Sequence, residues 1–110
     1  MANNAYKVLG QSAPGATTDT NVYTVPASTE TIISTVVIAN RSSTAGSFRL
    51  AVRPAGATIA NQHYLAFDVP ISANDSTTLT LGITMEATDV LTFRASTANM
   101  SVNVFGTELS

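Results

Sequence analysis

The chain reads as all-β, an antiparallel β-sandwich of jelly-roll-like form with seven to eight short strands. Three observations predict this. Apolar and polar side chains alternate with period two in one segment after another, as half-buried strands require. Gly, Pro, Ser and Asn fall between these segments at roughly ten-residue spacing, the rhythm of turns in a sandwich. β-Branched residues are dense in the longest apolar stretch, where a helix would favour unbranched side chains.

In chain order, residues 5–11 form a first strand in which Tyr6, Val8 and Gly10 alternate with Lys7 and Leu9. Residues 12–21 are a loop, with Pro14 and Gly15 as its turn signal. In residues 21–25, Val22 and Thr24 lie on one face and Tyr23 and Val25 on the other, until Pro26 removes a ladder donor. Residues 30–40 carry Ile32, Ile33, Val36, Val37 and Ile38 at both parities, which predicts a strand covered on both faces. Residues 41–46 are a polar turn.

Residues 47–71 form the central hairpin. Phe48, Leu50 and Val52 point one way, and Ser47, Arg49 and Arg53 the other. After a turn-rich loop the strand resumes, with Leu65, Phe67 and Val69 expected inward and Tyr64, Ala66 and Asp68 outward. Residues 77–83 place Leu79, Leu81 and Ile83 inward, and residues 84–89 are a connection holding Glu86 and Asp89. In residues 90–95, Leu91 and Phe93 oppose Thr92 and Arg94. Residues 99–105 are a final strand with Met100, Val102 and Val104 on one side, and residues 106–110 a tail. No linker divides the 110 residues, so one domain with a short flexible N-terminal arm, Met1 to Asn4, is expected.

Composition narrows the function. Only 11% of residues are charged, well under the usual quarter, and Thr, Ser, Asn and Ala take their place. Such a surface suits either one that neighbours cover or a neutral but soluble monomer. The five cations, Lys7, Arg41, Arg49, Arg53 and Arg94, are scattered, whereas a nucleic-acid face needs them clustered. Cysteine is absent, which excludes disulfides and thiolate sites. No secretory leader is legible at residues 1–6, and the longest apolar run is too short to span a bilayer, so neither nucleic acid nor membrane is expected as a partner.

The search for catalytic, cofactor or metal chemistry ends without a site. His63 is the only histidine, and no glycine-flanked serine elbow accompanies it. Its simpler role is that of a strand-start residue that fills a groove or caps a loop. Glu86 and Asp89 lie three apart in one connection rather than across a cleft, and read as a solvated loop. Asn74, Asp75 and Ser76, like Asp19 and Asn21, are oxygen-rich but lack the spaced acids of a calcium loop, and Asx turns explain them. Arg49 and Arg53 share one outer strand face, and a neighbouring strand that brings Asp68 opposite forms a cross-strand ion pair. No residue is assigned a catalytic, cofactor-binding or metal-binding role, and the protein is expected not to be an enzyme.

Several segments carry a resemblance. Leu9 Gly10 Gln11 Ser12 Ala13 Pro14, Tyr23 Thr24 Val25 Pro26 and Val37 Ile38 Ala39 Asn40 Arg41 resemble small virion structural proteins of tailed bacteriophages. So do Phe48 Arg49 Leu50 Ala51 Val52 with Pro54 Ala55 Gly56 Ala57, then His63 Tyr64 through Pro70, and Leu79 Thr80 Leu81 Gly82 Ile83 before Asp89. The similarity spans most of the chain and is one of scaffold. It implies a β-sandwich capsid decoration (cement) protein in the virion, assembled in the host cytoplasm. Its partner would be the major capsid protein, and its oligomer a homotrimer. Trimer contacts are expected from the doubly apolar stretch Ile32 to Ile38, and capsid contacts from loops and the N-terminal arm. Tail, neck, baseplate or fibre adaptors and a virion carbohydrate-binding module are the alternatives.

Overall fold

The computed structural model describes residues 4–110. Among the described residues nine strands form: β1 Asn4–Ser12, β2 Thr20–Thr24, β3 Glu30–Asn40, β4 Gly46–Arg53, β5 Tyr64–Ile71, β6 Ser76–Leu79, β7 Ile83–Met85, β8 Val90–Ala95 and β9 Met100–Leu109. Two single 3-10 turns, Pro54–Gly56 and Asn61–His63, sit in the β4–β5 connection. The expected N-terminal arm lies outside the described residues except for Asn4, which opens β1.

The strands make two antiparallel sheets. The first has the order β1-β9-β3-β6, with β7 also on β3, and the second β2-β8-β4-β5. β6 and β7 occupy the same edge of β3, Val36 facing Leu79 and Ile33 facing Ile83. They are one edge strand interrupted at residues 80–82, where Gly82 takes φ 63°. Counted so, β4 pairs β5, β3 pairs the β6–β7 strand, β2 pairs β8 and β1 pairs β9. The chain is thus a long hairpin with its tip at residues 54–63, wound so that successive pairs alternate between sheets. That winding is the jelly roll, and the predicted central hairpin is its tip.

The layers close on a shared apolar core. Phe48, Leu50, Leu91 and Phe93 come from the second sheet, and Ile33, Val36, Ile38, Met100, Val102 and Val104 from the first; all are 0% or 1% exposed. The Phe48 and Phe93 rings stack with centroids 6.0 Å apart. Each such side chain contributes about 1.5–3 kcal/mol by leaving water. Along one side β1 and β2 meet so closely that a Cβ on Gly10 would run into the Val22 carbonyl.

Several predicted faces are corrected, and β-bulges are the main physical reason. A bulge adds one residue to a strand, so every side chain beyond it changes face. β5 carries two shifts against β4, where Phe48 faces Val69 but Leu50 faces Ala66 and Ala51 faces Tyr64. Asp68 has φ 52° at the first. Consequently Ala66 packs on the core, while Leu65 and Phe67, expected inward, are 45% and 54% exposed. In β3 the shift between Ile33 and Thr35 puts Ile33, Val36 and Ile38 on one face. The apolar residues at both parities therefore reflect a bulge rather than cover on two sides, and Ile32 stays 43% exposed. Leu81, expected inward, falls in the break between β6 and β7 and is exposed. The expected tail at residues 106–110 instead continues β9 to Leu109, held by β1 and β3.

Candidate functional site

No single cleft gathers the residues singled out in the sequence. His63 is half-buried at the start of β5, and its Nδ1 accepts the Ala60 N–H at 3.0 Å, closing the 3-10 turn. Asp89, expected in a solvated loop, is buried instead. Its Oδ1 accepts the Ala55 N–H at 2.9 Å and its Oδ2 the Glu86 N–H at 3.0 Å, so it ties the hairpin tip to the β7–β8 turn. Asp75 Oδ1 accepts the Ser76 N–H at 2.8 Å, and Asn21 Oδ1 accepts from Arg53 and Thr92. Among the described residues no three His, Cys, Asp or Glu side chains gather where they could hold a metal.

What the fold does build is two contrasting outer surfaces. On the second sheet three arginines project outward, each in a network. Arg49 forks onto Asp68, Nε to Oδ1 at 2.7 Å and Nη2 to Oδ2 at 3.3 Å, which makes the anticipated cross-strand pair. The Asp68 carboxylate raises the guanidinium further above its ordinary value, and the guanidinium in turn holds Asp68 below the usual carboxylate range. The same guanidinium lies 4.0 Å over the Phe67 ring, which makes a T-shaped pair with Tyr64. Arg53 donates to Thr92 Oγ1, Asn21 Oδ1 and the Gly56 and Ala57 carbonyls, pinning the hairpin tip to the sheet. Arg94 lies 3.7 Å from Asp19.

The outer surface of the first sheet is the opposite. Its register sets the outward side chains in straight rows across the strands. Val8 faces Phe105, which faces Thr35. One row along, Tyr6, Thr107, Ile32 and Thr84 line up, and on the other side Gln11, Asn103, Val37 and Thr78. Among the outward positions of these strands Glu30 alone is charged, at one end beside Leu109. At the other end Arg41 donates from Nε to Ser101 Oγ at 2.8 Å. Tyr6 is 84% exposed and Val8 48%, so apolar area is left bare on a surface that carries almost no charge.

Beneath this surface a polar strap joins the sheets. Tyr23 of β2 donates to Glu108 Oε2 at 2.5 Å, and its oxygen lies 2.8 Å from Thr31 Oγ1. With the phenolic proton committed to Glu108, Thr31 is the donor to Tyr23. Glu108 Oε1 meets Lys7 Nζ at 2.7 Å. Burial, then the neighbouring carboxylate, pushes the Tyr23 hydroxyl up to about 12. The Lys7 ammonium, then the Tyr23 hydroxyl, holds Glu108 below the usual carboxylate range.

An open cleft of about 540 Å³ lies at the end of the sandwich, with Ile32, Pro54, Met85 and Leu109 on its walls and Glu30, Glu86 and Asp89 around them. The two acids singled out earlier thus border one hollow, but both Asp89 oxygens are already engaged with backbone. Sequence reasoning missed the uncharged surface and the strap. Period-two alternation could have placed Tyr6, Val8, Phe105 and Thr107 on one side each, but not in register with Ile32. Compared with protein-family models the chain matches none, and no curated protein matches it.

Proposed function

We propose that the protein is a non-enzymatic structural component of a phage virion, a capsid decoration protein that docks on the assembled shell and on copies of itself. The observation that carries this reading is the outer surface of the first sheet, nearly uncharged and bearing bare Tyr6, Val8 and Ile32. The resemblance of the sequence segments to virion proteins supplies the setting. The fold is compatible by analogy only, since jelly rolls serve many functions.

Docking needs no turnover. A protein that binds the expanded shell and not its precursor stabilises that state by RT ln(1 + [L]/Kd) per site, about 2.7 kcal/mol at a hundredfold excess over Kd. Repeated over many sites, this raises the temperature at which the shell opens. The resemblance implies the major capsid protein as partner and a trimer at local threefold positions, whereas the surface itself favours pairing in twos. The test is cosedimentation of the purified chain with expanded shells of a phage that encodes it, followed by a shell melting curve. Saturation at hundreds of copies with a higher melting temperature is the expected result. Saturation at a few or dozens of copies would place it in the tail, neck, baseplate or fibre, and failure to bind particles would overturn the virion role.

A further inference from the structure

The uncharged surface is complementary to itself. The geometry points to a twofold pairing of two copies of this chain through the outer surface of the first sheet, the axis lying across the strands along the row Val8, Phe105 and Thr35. This inference rests on the surface and its register, not on the virion role.

A twofold axis along that row sets every strand over its own antiparallel copy and exchanges the rows on either side. Val8 and Phe105 then meet their own symmetry mates at the centre, a small apolar hub. Ile32 comes over Val37 of the other copy, apolar on apolar, and Tyr6 comes over Gln11, a phenol above an amide. Thr107 falls over Asn103 and Thr84 over Thr78, hydroxyls on groups that hydrogen-bond them.

The two charges obey the same operation. Glu30 belongs to the row of Leu109, two rows from the axis on one side. The Arg41 guanidinium rests on Ser101, two rows from the axis on the other. Pairing brings each Glu30 toward the other copy's Arg41, twice per dimer. An axis along the strands would instead gather both carboxylates at one end and both guanidiniums at the other, so charge selects the axis across the strands.

Area agrees. Four strands at ~4.8 Å spacing and up to ten residues at ~3.4 Å offer about 650 Å² per copy. A standard interface takes about 800 Å² per partner, and the pleated surface exceeds its own projection. The aligned packing of two twisted sheets is a geometry that sandwiches already use.

The experiment is a solution mass for the full chain at micromolar concentration. The expected value is about 23 kDa, twice the 11.4 kDa chain, or another even multiple. Glu30→Arg and Arg41→Glu should each weaken pairing at least tenfold. Mixed together, the two variants should pair with each other, because each then meets the opposite charge. Val8→Asp, at an exposed position on the axis, should give about 11 kDa while keeping the all-β circular dichroism spectrum of the wild type. Arg94→Gln, on the other sheet, should leave the mass unaltered. A wild-type mass of about 11 or about 34 kDa would overturn the pairing, as would failure of the mixed variants to associate. A trimer that coats shells would defeat the pairing and leave the virion role standing, while a dimer that ignores particles would do the reverse.

Discussion

The two outer surfaces of this sandwich handle polarity in opposite ways. On the second sheet, Arg49, Arg53 and Arg94 find their partners on their own surface, in Asp68, Asn21, Thr92 and Asp19. On the first sheet, hydroxyls, amides and apolar groups line up in rows with Glu30 at one end and Arg41 at the other, each without a carboxylate–cation partner among the described residues. A self-contained surface gains little from a neighbour, because its charges would have to be desolvated. An uncharged one loses little and buries apolar area. The difference marks the surface that a partner would cover at the smaller cost.

The comparison is anchored by the core that both surfaces enclose. Phe48→Ala, directly beneath the charged surface, should destabilise by about 3–5 kcal/mol, read as a fall in the thermal midpoint. Arg49→Ala, one residue along and pointing out, should lower that midpoint far less. Equal losses would mean that the inner and outer sides of β4 have been exchanged.

Tyr23→Phe tests the strap between the sheets. Losing the hydroxyl leaves Thr31 Oγ1 and Glu108 Oε2 without that partner under the uncharged surface and should cost about 1–3 kcal/mol in chemical denaturation. The pH dependence has two signs. Glu108 is more acidic folded than unfolded, so its contribution is complete above the ordinary carboxylate value and fades as pH falls through its lowered one. Tyr23 is raised to about 12, so its contribution is complete below the ordinary value near ~10 and fades as pH climbs from there toward about 12. In the Phe variant the alkaline part of the stability profile attributable to Tyr23 should vanish; an unchanged alkaline limb would show that the hydroxyl does not couple the sheets.

The smallest effect is the most specific to the comparison. Ile32→Thr on the uncharged surface should alter stability by less than about 0.5 kcal/mol while weakening association with whatever covers that surface. A large loss of stability in the isolated chain would instead make Ile32 part of the fold.

Alternation in β4, β8 and β9 marked Phe48, Leu50, Leu91, Phe93, Met100, Val102 and Val104 as core, and all are buried. The Arg49–Asp68 pair was legible because it needs only neighbouring strands in roughly the right register. Leu65 and Phe67 were misplaced because nothing in their own segment marks the extra residue opposite β4; Asp68 at φ 52° is at most a faint cue, since Asp tolerates that conformation. The uncharged surface draws its residues from β1, β9, β3, β6 and β7, segments far apart in the chain, and Glu108 reaches Tyr23 from the end of β9, where the sequence predicts a tail.

The order of residues by itself determined that the chain is a sandwich of short antiparallel strands with an aliphatic and aromatic interior, since period two and turn chemistry are properties of neighbours in the chain. Which side each bulged strand presents, and which rows form across a sheet, was decided only by tertiary structure. A bulge is set by pairing with a distant strand, and one residue of slip there turns every following side chain over.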